Sequence, residues 1–153
     1  MEALERRLPP PIWFLVMFGL MTVTALAPPD WVLDWPGQRV IAIVIAGFAI
    51  AVGAAGLVEI YRHKTTTSPT DIEDVSQLVV TGIYRFTRNP MYLGLALLLV
   101  AYAVALGDIW TILFVPVFVV IITYGQIKPE ERVLAERFGG AYRDYTEKVR
   151  RWV

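Results

Sequence analysis

Residues able to do chemistry gather in two short stretches of this chain. One reads Leu78-Val79-Val80-Thr81-Gly82-Ile83-Tyr84-Arg85-Phe86-Thr87-Arg88-Asn89-Pro90-Met91-Tyr92-Leu93-Gly94. The other opens Lys128-Pro129-Glu130-Glu131-Arg132-Val133-Leu134 and continues through Phe138-Gly139 to Tyr142 and Tyr145. Tyrosine faces and carboxylates suit an organic cation, and guanidiniums suit carboxylates and phosphates. The chain has no cysteine and one histidine, His63, which excludes disulfides, thiol nucleophiles and thiolate metal sites. A zinc or iron site would rest almost wholly on carboxylates, so no metal is expected. Lys+Arg and Asp+Glu are both 14, a balance that gives no argument for nucleic acid.

Each stretch also has a purely structural reading. Asn89-Pro90 suits a helix start, with Asn as N-cap and Pro at the first helical position. Arg85 and Arg88 are able to anchor a span at anionic headgroups. Pro129-Glu130-Glu131 suits a second helix start, because carboxylates favour the positive end of the helix dipole. Beyond it Leu134, Phe138, Tyr142, Tyr145, Val149 and Trp152 recur every three or four residues, as on a helix lying in a membrane interface. Gly139-Gly140 interrupts that stripe at about 1 kcal/mol per Gly relative to Ala, which allows two shorter helices.

The elements that must position these residues are apolar. The chain of 153 residues, enough for one compact unit, is 56% hydrophobic. Residues 11–27, 40–58, 91–106 and 109–127 carry no charge, and each is at the short end of what crosses a hydrocarbon core of roughly 30 Å. Too little polar sequence remains to cover four such helices in water. The expected fold is therefore all-α: an integral membrane helical bundle of about four transmembrane helices, forming one domain over residues 1–153. A cytoplasmic loop would span 59–90, and an amphipathic cytoplasmic helix 130–150. The third and fourth spans, separated only by Gly107-Asp108, form a hairpin that returns the two polar stretches to one end. The first stretch also has the look of a signal peptide, with Arg6 and Arg7 before it and Ala25-Leu26-Ala27 after it; since the chain begins at Met1, it is taken as a retained span. Basic residues concentrate in residues 1–10, in the 59–90 loop and in the tail, which puts both termini in the cytoplasm of an inner, plasma or endomembrane. Small residues at Ala42, Ala46, Ala49, Gly53 and Gly56 give the second span a packing face, for contacts within or between chains. Pro116 predicts a kink in the fourth span.

Taken together, Gly-x-Tyr-x-x-x-Arg-Asn-Pro-x-Tyr-x-Gly, the hairpin, and Glu-Glu-x-x-Leu-x-x-x-Phe-Gly-x-x-Tyr resemble the isoprenylcysteine carboxyl methyltransferase and phospholipid methyltransferase superfamily of membrane enzymes. The resemblance covers roughly residues 65–150, with Thr65-Thr66-Thr67-Ser68-Pro69 ahead of the first motif. It implies S-adenosylmethionine as cofactor, clamped by the two motifs at the cytosolic end of the helices, and methyl transfer to a lipid-like or small hydrophobic acceptor. Membrane lipids are the implied partners. By position, Leu78, Val79 and Tyr84 would line one side of the cofactor. Asn89, Pro90 and Tyr92 would form the adjoining wall, and Glu130 would bind it from the last helix, with Glu131 as the adjacent alternative. Arg85, Arg88 and Glu131 are the candidates for catalysis. Direct displacement needs alignment rather than a covalent nucleophile, which fits a chain with no Cys. Two departures stand out: family members often carry His where this chain has Asn89, and the carboxyl methyltransferases place a substrate-binding Arg where it has Gln126. An amine or phenol acceptor needs a base, for which Glu59 is a candidate. Two other readings stay open. Sterol reductases are similar in this C-terminal arrangement but use NADPH, whose 2′-phosphate would draw on Arg85, Arg88 and Arg132. A non-catalytic membrane scaffold would need only the spans and the tail.

Overall fold

A computed structural model of the chain describes residues 9–27, 32–63 and 77–153. Arg6, Arg7, Lys64 and the Thr65-Thr66-Thr67-Ser68-Pro69 stretch lie outside them. The described residues form five helices: α1 (Pro10–Leu26), α2 (Gln38–Arg62), α3 (Pro90–Leu106), α4 (Phe114–Ile122) and α5 (Lys128–Lys148). Short 3₁₀ turns occupy Gly82–Arg85 and Ile109–Leu113, and a π turn occupies Thr123–Ile127. Among the described residues the only extended pairing is an isolated antiparallel bridge between Val32 and Asp108.

Helix directions follow from a few contacts. The Thr22 and Tyr102 hydroxyls are 2.8 Å apart and Phe18 stacks on the Tyr102 ring, so the second halves of α1 and α3 lie side by side, as in a parallel pair. Gln38 Nε2 donates to the Val104 carbonyl at 2.7 Å, while Gly56 lies against Pro90, so α2 runs antiparallel to α3. Gly107, at φ 69°, and Asp108, whose carboxylate accepts from the Trp110 N–H at 2.8 Å, then reverse the chain. The hairpin turn is where residue chemistry places it.

The small-residue face of α2 turns onto α3, with Ala42, Ala49 and Gly56 buried. The two backbones meet directly at Gly94, where a Cβ would stand 2.9 Å from the Ala49 carbonyl oxygen and 3.1 Å from Gly53 Cα. The core behind it joins Met17 and Met21 of α1 to Tyr92 and Leu99 of α3 and to Phe118 and Ile122 of α4. The first apolar stretch is thus a working part of the bundle; Met21 has no exposed surface. Outside, the helices are as apolar as inside: Leu15, Ile43, Phe48 and Val120 are all more than half exposed. Helices hydrophobic all round belong in lipid. α2, at 25 residues, and the continuous helical stretch Ile109–Lys148, at 40, are long and apolar enough to cross a membrane. α1 and α3, 17 residues each, rise about 25 Å. The fold is an all-α membrane bundle.

Local detail refines several expectations. Pro116 sits where the helix changes type. The 3₁₀ turn ends at Leu113, so the proline falls in the first turn of α4, where its missing N–H costs least. Pro129 does not begin a new helix: backbone angles stay helical through Ile127 and Lys128. The π turn just before it widens the spiral where the proline ring would otherwise meet the carbonyl four residues back. Asn89 flanks α3 as expected, but its side chain makes no capping bond. Finally, much of the apolar stripe of the last helix turns into the protein. The chain breaks at Gly139 (φ 52°, ψ −118°), a conformation open to glycine. Tyr142, Tyr145 and Val149 then pack with Leu78, Leu134 and Phe138 inside the protein. α5 ends at Lys148, Val149 is extended, and Trp152 leaves the stripe for Thr123.

Candidate functional site

Four segments meet at one end of the bundle: the close of α2, the 3₁₀ turn at Gly82–Arg85, the start of α3 and the start of α5. The 3₁₀ turn is seated by packing of Val79 and Tyr84 on Ile60 of α2. It is also seated by Gly82, at φ 56°, where a Cβ would stand 2.7 Å from a Glu59 carboxylate oxygen. That carboxylate accepts from the Thr81 hydroxyl, and Arg62 lies 3.9 Å away. Pro90, fully buried, packs into the space left by Gly56.

Two bonds tie the polar stretches together. Tyr92, on the first turn of α3, donates its hydroxyl to Glu130 Oε1 at 2.6 Å. The Tyr145 hydroxyl donates to the Tyr84 carbonyl at 2.7 Å. Beside them Glu131 holds two guanidiniums. Arg88 Nη1 is at 3.2 Å, and Arg151 donates from Nε and Nη2 at 2.9 and 2.7 Å, a bidentate pair. Arg88 also donates to the Tyr142 hydroxyl at 3.4 Å. Its Nε is buried with no hydrogen-bond partner among the described residues.

Burial sets the protonation of this cluster. Desolvation is the main cause that pushes the Tyr84 hydroxyl well above its ordinary value, with Tyr145, Glu130 and Glu59 adding to it. Tyr145 is also pushed up by burial, against a lowering from Arg88. Tyr142 is pushed up to about 12, by burial first and the Glu131 charge second, with Arg88 and Arg151 pulling it back. The bond to Glu131 raises Arg151. These phenols therefore stay neutral at any physiological pH, Tyr145 as a donor and Tyr142 as an acceptor.

The structure brings Val79, Tyr84, Tyr92 and Glu130 to the same end of the bundle, with Asn89 and Pro90 at the mouth of α3. Leu78 is half-buried on the Tyr142–Tyr145 cluster. Glu131 faces Arg88 and Arg151, while Glu130 faces Tyr92. Arg85 is exposed and stands apart from that pair. Gln126 is buried in the π turn. Sequence reasoning missed the tail. The Asn89 side chain donates to the Arg151 carbonyl at 2.9 Å, and the Arg88 N–H donates to the Arg150 carbonyl at 3.1 Å. Arg150 and Arg151 read as ordinary tail cations, and no local pattern marks them.

Comparison with known proteins gives the chain a place. A 63-residue protein of Haemophilus influenzae, described only as uncharacterized, is 44% identical over its whole length, equivalent to 41% of this chain. Residues 38–141 match the phospholipid methyltransferase family. That match takes in α2, the first polar stretch, the hairpin and the second stretch as far as residue 141, more than half of the chain, and so the protein belongs to the phospholipid methyltransferase family.

Proposed function

We propose that this protein transfers a methyl group from S-adenosylmethionine to a lipid-like or small hydrophobic acceptor at the cytosolic face of the membrane. The observation that carries the reading is the Tyr92–Glu130 bond, which joins the two polar stretches at one end of the bundle. Four crossings, with both termini cytoplasmic, fit this arrangement. Among the described residues, Arg39 is the one cation at the far end, and the others cluster at the site end.

The residues present fit the cofactor. Glu130 and the Tyr84 and Tyr92 rings suit its sulfonium and ammonium charges. Arg88, with a buried Nε–H that has no partner among the described residues, suits its carboxylate. When bound, the cofactor supplies an electrophilic methyl group. The protein's part is alignment and exclusion of water. Tyr92 fixes the Glu130 carboxylate, neutral Tyr84 and Tyr145 hold the 3₁₀ turn, and Arg88 with Glu131 orients the polar end of the bound molecules. Arg85 is left for a headgroup at the rim. An amine acceptor releases a proton. Glu59 is held by the Thr81 hydroxyl, with Arg62 3.9 Å away, and we assign it as the proton acceptor. No observation favours a 2′-phosphate at this cluster.

Calorimetric titration of the protein in nanodiscs with S-adenosylmethionine and S-adenosylhomocysteine tests the reading. Saturable binding is expected, lost in Glu130→Ala and retained in Glu59→Gln, with Glu59→Gln slowed in turnover. Wild-type binding undiminished in Glu130→Ala would refute the site. Binding of NADPH alone would refute the reaction.

A further inference from the structure

We infer that residues 149–153 are a structural wall of the site, a strap that sets the geometry of both motifs, with Arg151 as its positioning residue. The inference rests on the S-adenosylmethionine reading for what is positioned, and on the structure for how.

After Lys148 the helix ends and Val149, at φ −123° and ψ 127°, turns the chain back toward the bundle. Val149 is buried on Tyr142 and Tyr145. The next three residues bond three parts of the site between them. The Arg150 carbonyl accepts from the Arg88 N–H at 3.1 Å. The Arg151 carbonyl accepts from Asn89 Nδ2 at 2.9 Å and from the Thr87 hydroxyl at 3.4 Å. The Arg151 guanidinium clasps both oxygens of Glu131. Trp152 Nε1 donates to the Thr123 hydroxyl in the π turn at 3.1 Å. One short extended segment therefore touches the approach to α3, the start of α5 and the turn that aims α5.

Energetics say which of these contacts matters. Arg88, Glu131 and Arg151 form a chain in which one carboxylate, 17% exposed, satisfies two cations. Removing Arg151 frees one side of Glu131 and lets it swing wholly toward Arg88. That movement shifts Arg88 and, one residue along the helix, Glu130. Asn89 makes the second contact: its side chain makes no capping bond to α3, and its Nδ2 donates to the strap instead. Thr87, 2% exposed, is held the same way and in turn accepts from the Asn89 N–H at 3.2 Å. The strap thus fixes the Arg-Asn-Pro corner from one side and the Glu-Glu pair from the other.

The test compares Arg151→Ala, Arg151→Lys and Glu131→Gln in nanodiscs, with two readouts. In the ligand-free protein, hydrogen exchange of the Arg88 amide reports whether the strap is docked. In titration, S-adenosylmethionine affinity reports whether the site is set. Arg151→Ala is expected to speed exchange at Arg88 and to weaken binding about tenfold to a hundredfold, the size of a lost charge-assisted hydrogen bond. Arg151→Lys restores part of the affinity, since a lone ammonium cannot clasp both oxygens. The double variant Arg151→Ala/Glu131→Gln loses no more than the worse single one, because both changes remove the same contact. Wild-type affinity in Arg151→Ala, alongside loss in Glu130→Ala, would overturn the positioning role. If the wild-type protein binds no S-adenosylmethionine, the cofactor reading fails, and unchanged Arg88 exchange in Arg151→Ala is then what sinks the strap. Should Arg151→Ala not fold, Arg151→Lys and Trp152→Phe give the same exchange comparison.

Discussion

At the scale of single residues, the site is built on phenols that do not ionise. Tyr142 sits between Arg88, which donates to its oxygen, and the Glu131 charge; burial, with Glu131 adding to it, lifts it to about 12 against the pull of Arg88 and Arg151. An unfolded tyrosine gives up its proton near pH 10. Between pH 10 and about 12 the folded state therefore binds more protons than the unfolded state. The stabilisation is complete below pH 10 and is lost as pH rises through the folded value. Thermal unfolding in nanodiscs is expected to show a melting temperature that is flat below pH 10 and falls above it. Tyr142→Phe should make that alkaline fall shallower; a slope identical to wild type would show that the Tyr142 proton is not held by the fold.

Helix packing is decided by even less chemistry. At Gly94 the backbones of α2 and α3 meet directly, with only hydrogen between Cα and the Ala49–Gly53 backbone. A larger side chain has to push one helix away. Gly94→Val should cost about 1–3 kcal/mol, as overpacking of a tight contact does, whereas Gly19→Val on the outer face of α1, where a Cβ meets nothing within 4 Å, should be near neutral. Equal melting temperatures for the two would mean that α2 and α3 tolerate separation. The small-residue stripe of α2, the hairpin at Gly107-Asp108 and Pro90 at the head of α3 were legible in the sequence because each is a local pattern with a local cause. Three features were not. The π turn follows from a conflict between Pro129 and the preceding spiral that either a break or a bulge resolves. The bend at Gly139 has a positive φ that a Gly-Gly pair permits without requiring. The strap joins Asn89 to a carbonyl 62 residues away, and no periodicity encodes that distance. Of the candidate site, the pairing of Tyr92 with Glu130 was implicit in two motifs brought to one end by a hairpin. The separation of roles between Glu130 and Glu131 was not, because adjacent residues on a helix differ in direction and only the neighbours show which is which.

For the whole molecule, the contacts make one up-and-down bundle in which α1 begins, α2 ends and residues 149–153 lie at the site end, while Gln38 and the Gly107-Asp108 turn lie at the other. The membrane arrangement proposed above then has a direct check. Because the chain has no cysteine, Arg62→Cys and Ile109→Cys each create a single thiol at an exposed position. A membrane-impermeant maleimide should label position 62 only in inside-out vesicles and position 109 only in right-side-out ones. Labelling of both from one side would end the four-crossing arrangement.

The π turn at Thr123–Ile127 has a consequence for how this helix reads as a one-dimensional object. A π turn holds one residue more than an α turn needs, so everything after it is rotated by about 100° relative to an uninterrupted spiral. The azimuth of Glu130 is set here, upstream of the motif that contains it. Were the helix regular, the same Glu-Glu pair would present a different carboxylate to Tyr92. The surplus residue acts as a phase setting: the hydrophobic span before it keeps its register with the core through Phe118 and Ile122, the polar helix after it keeps its own, and the turn fixes the angle between the two.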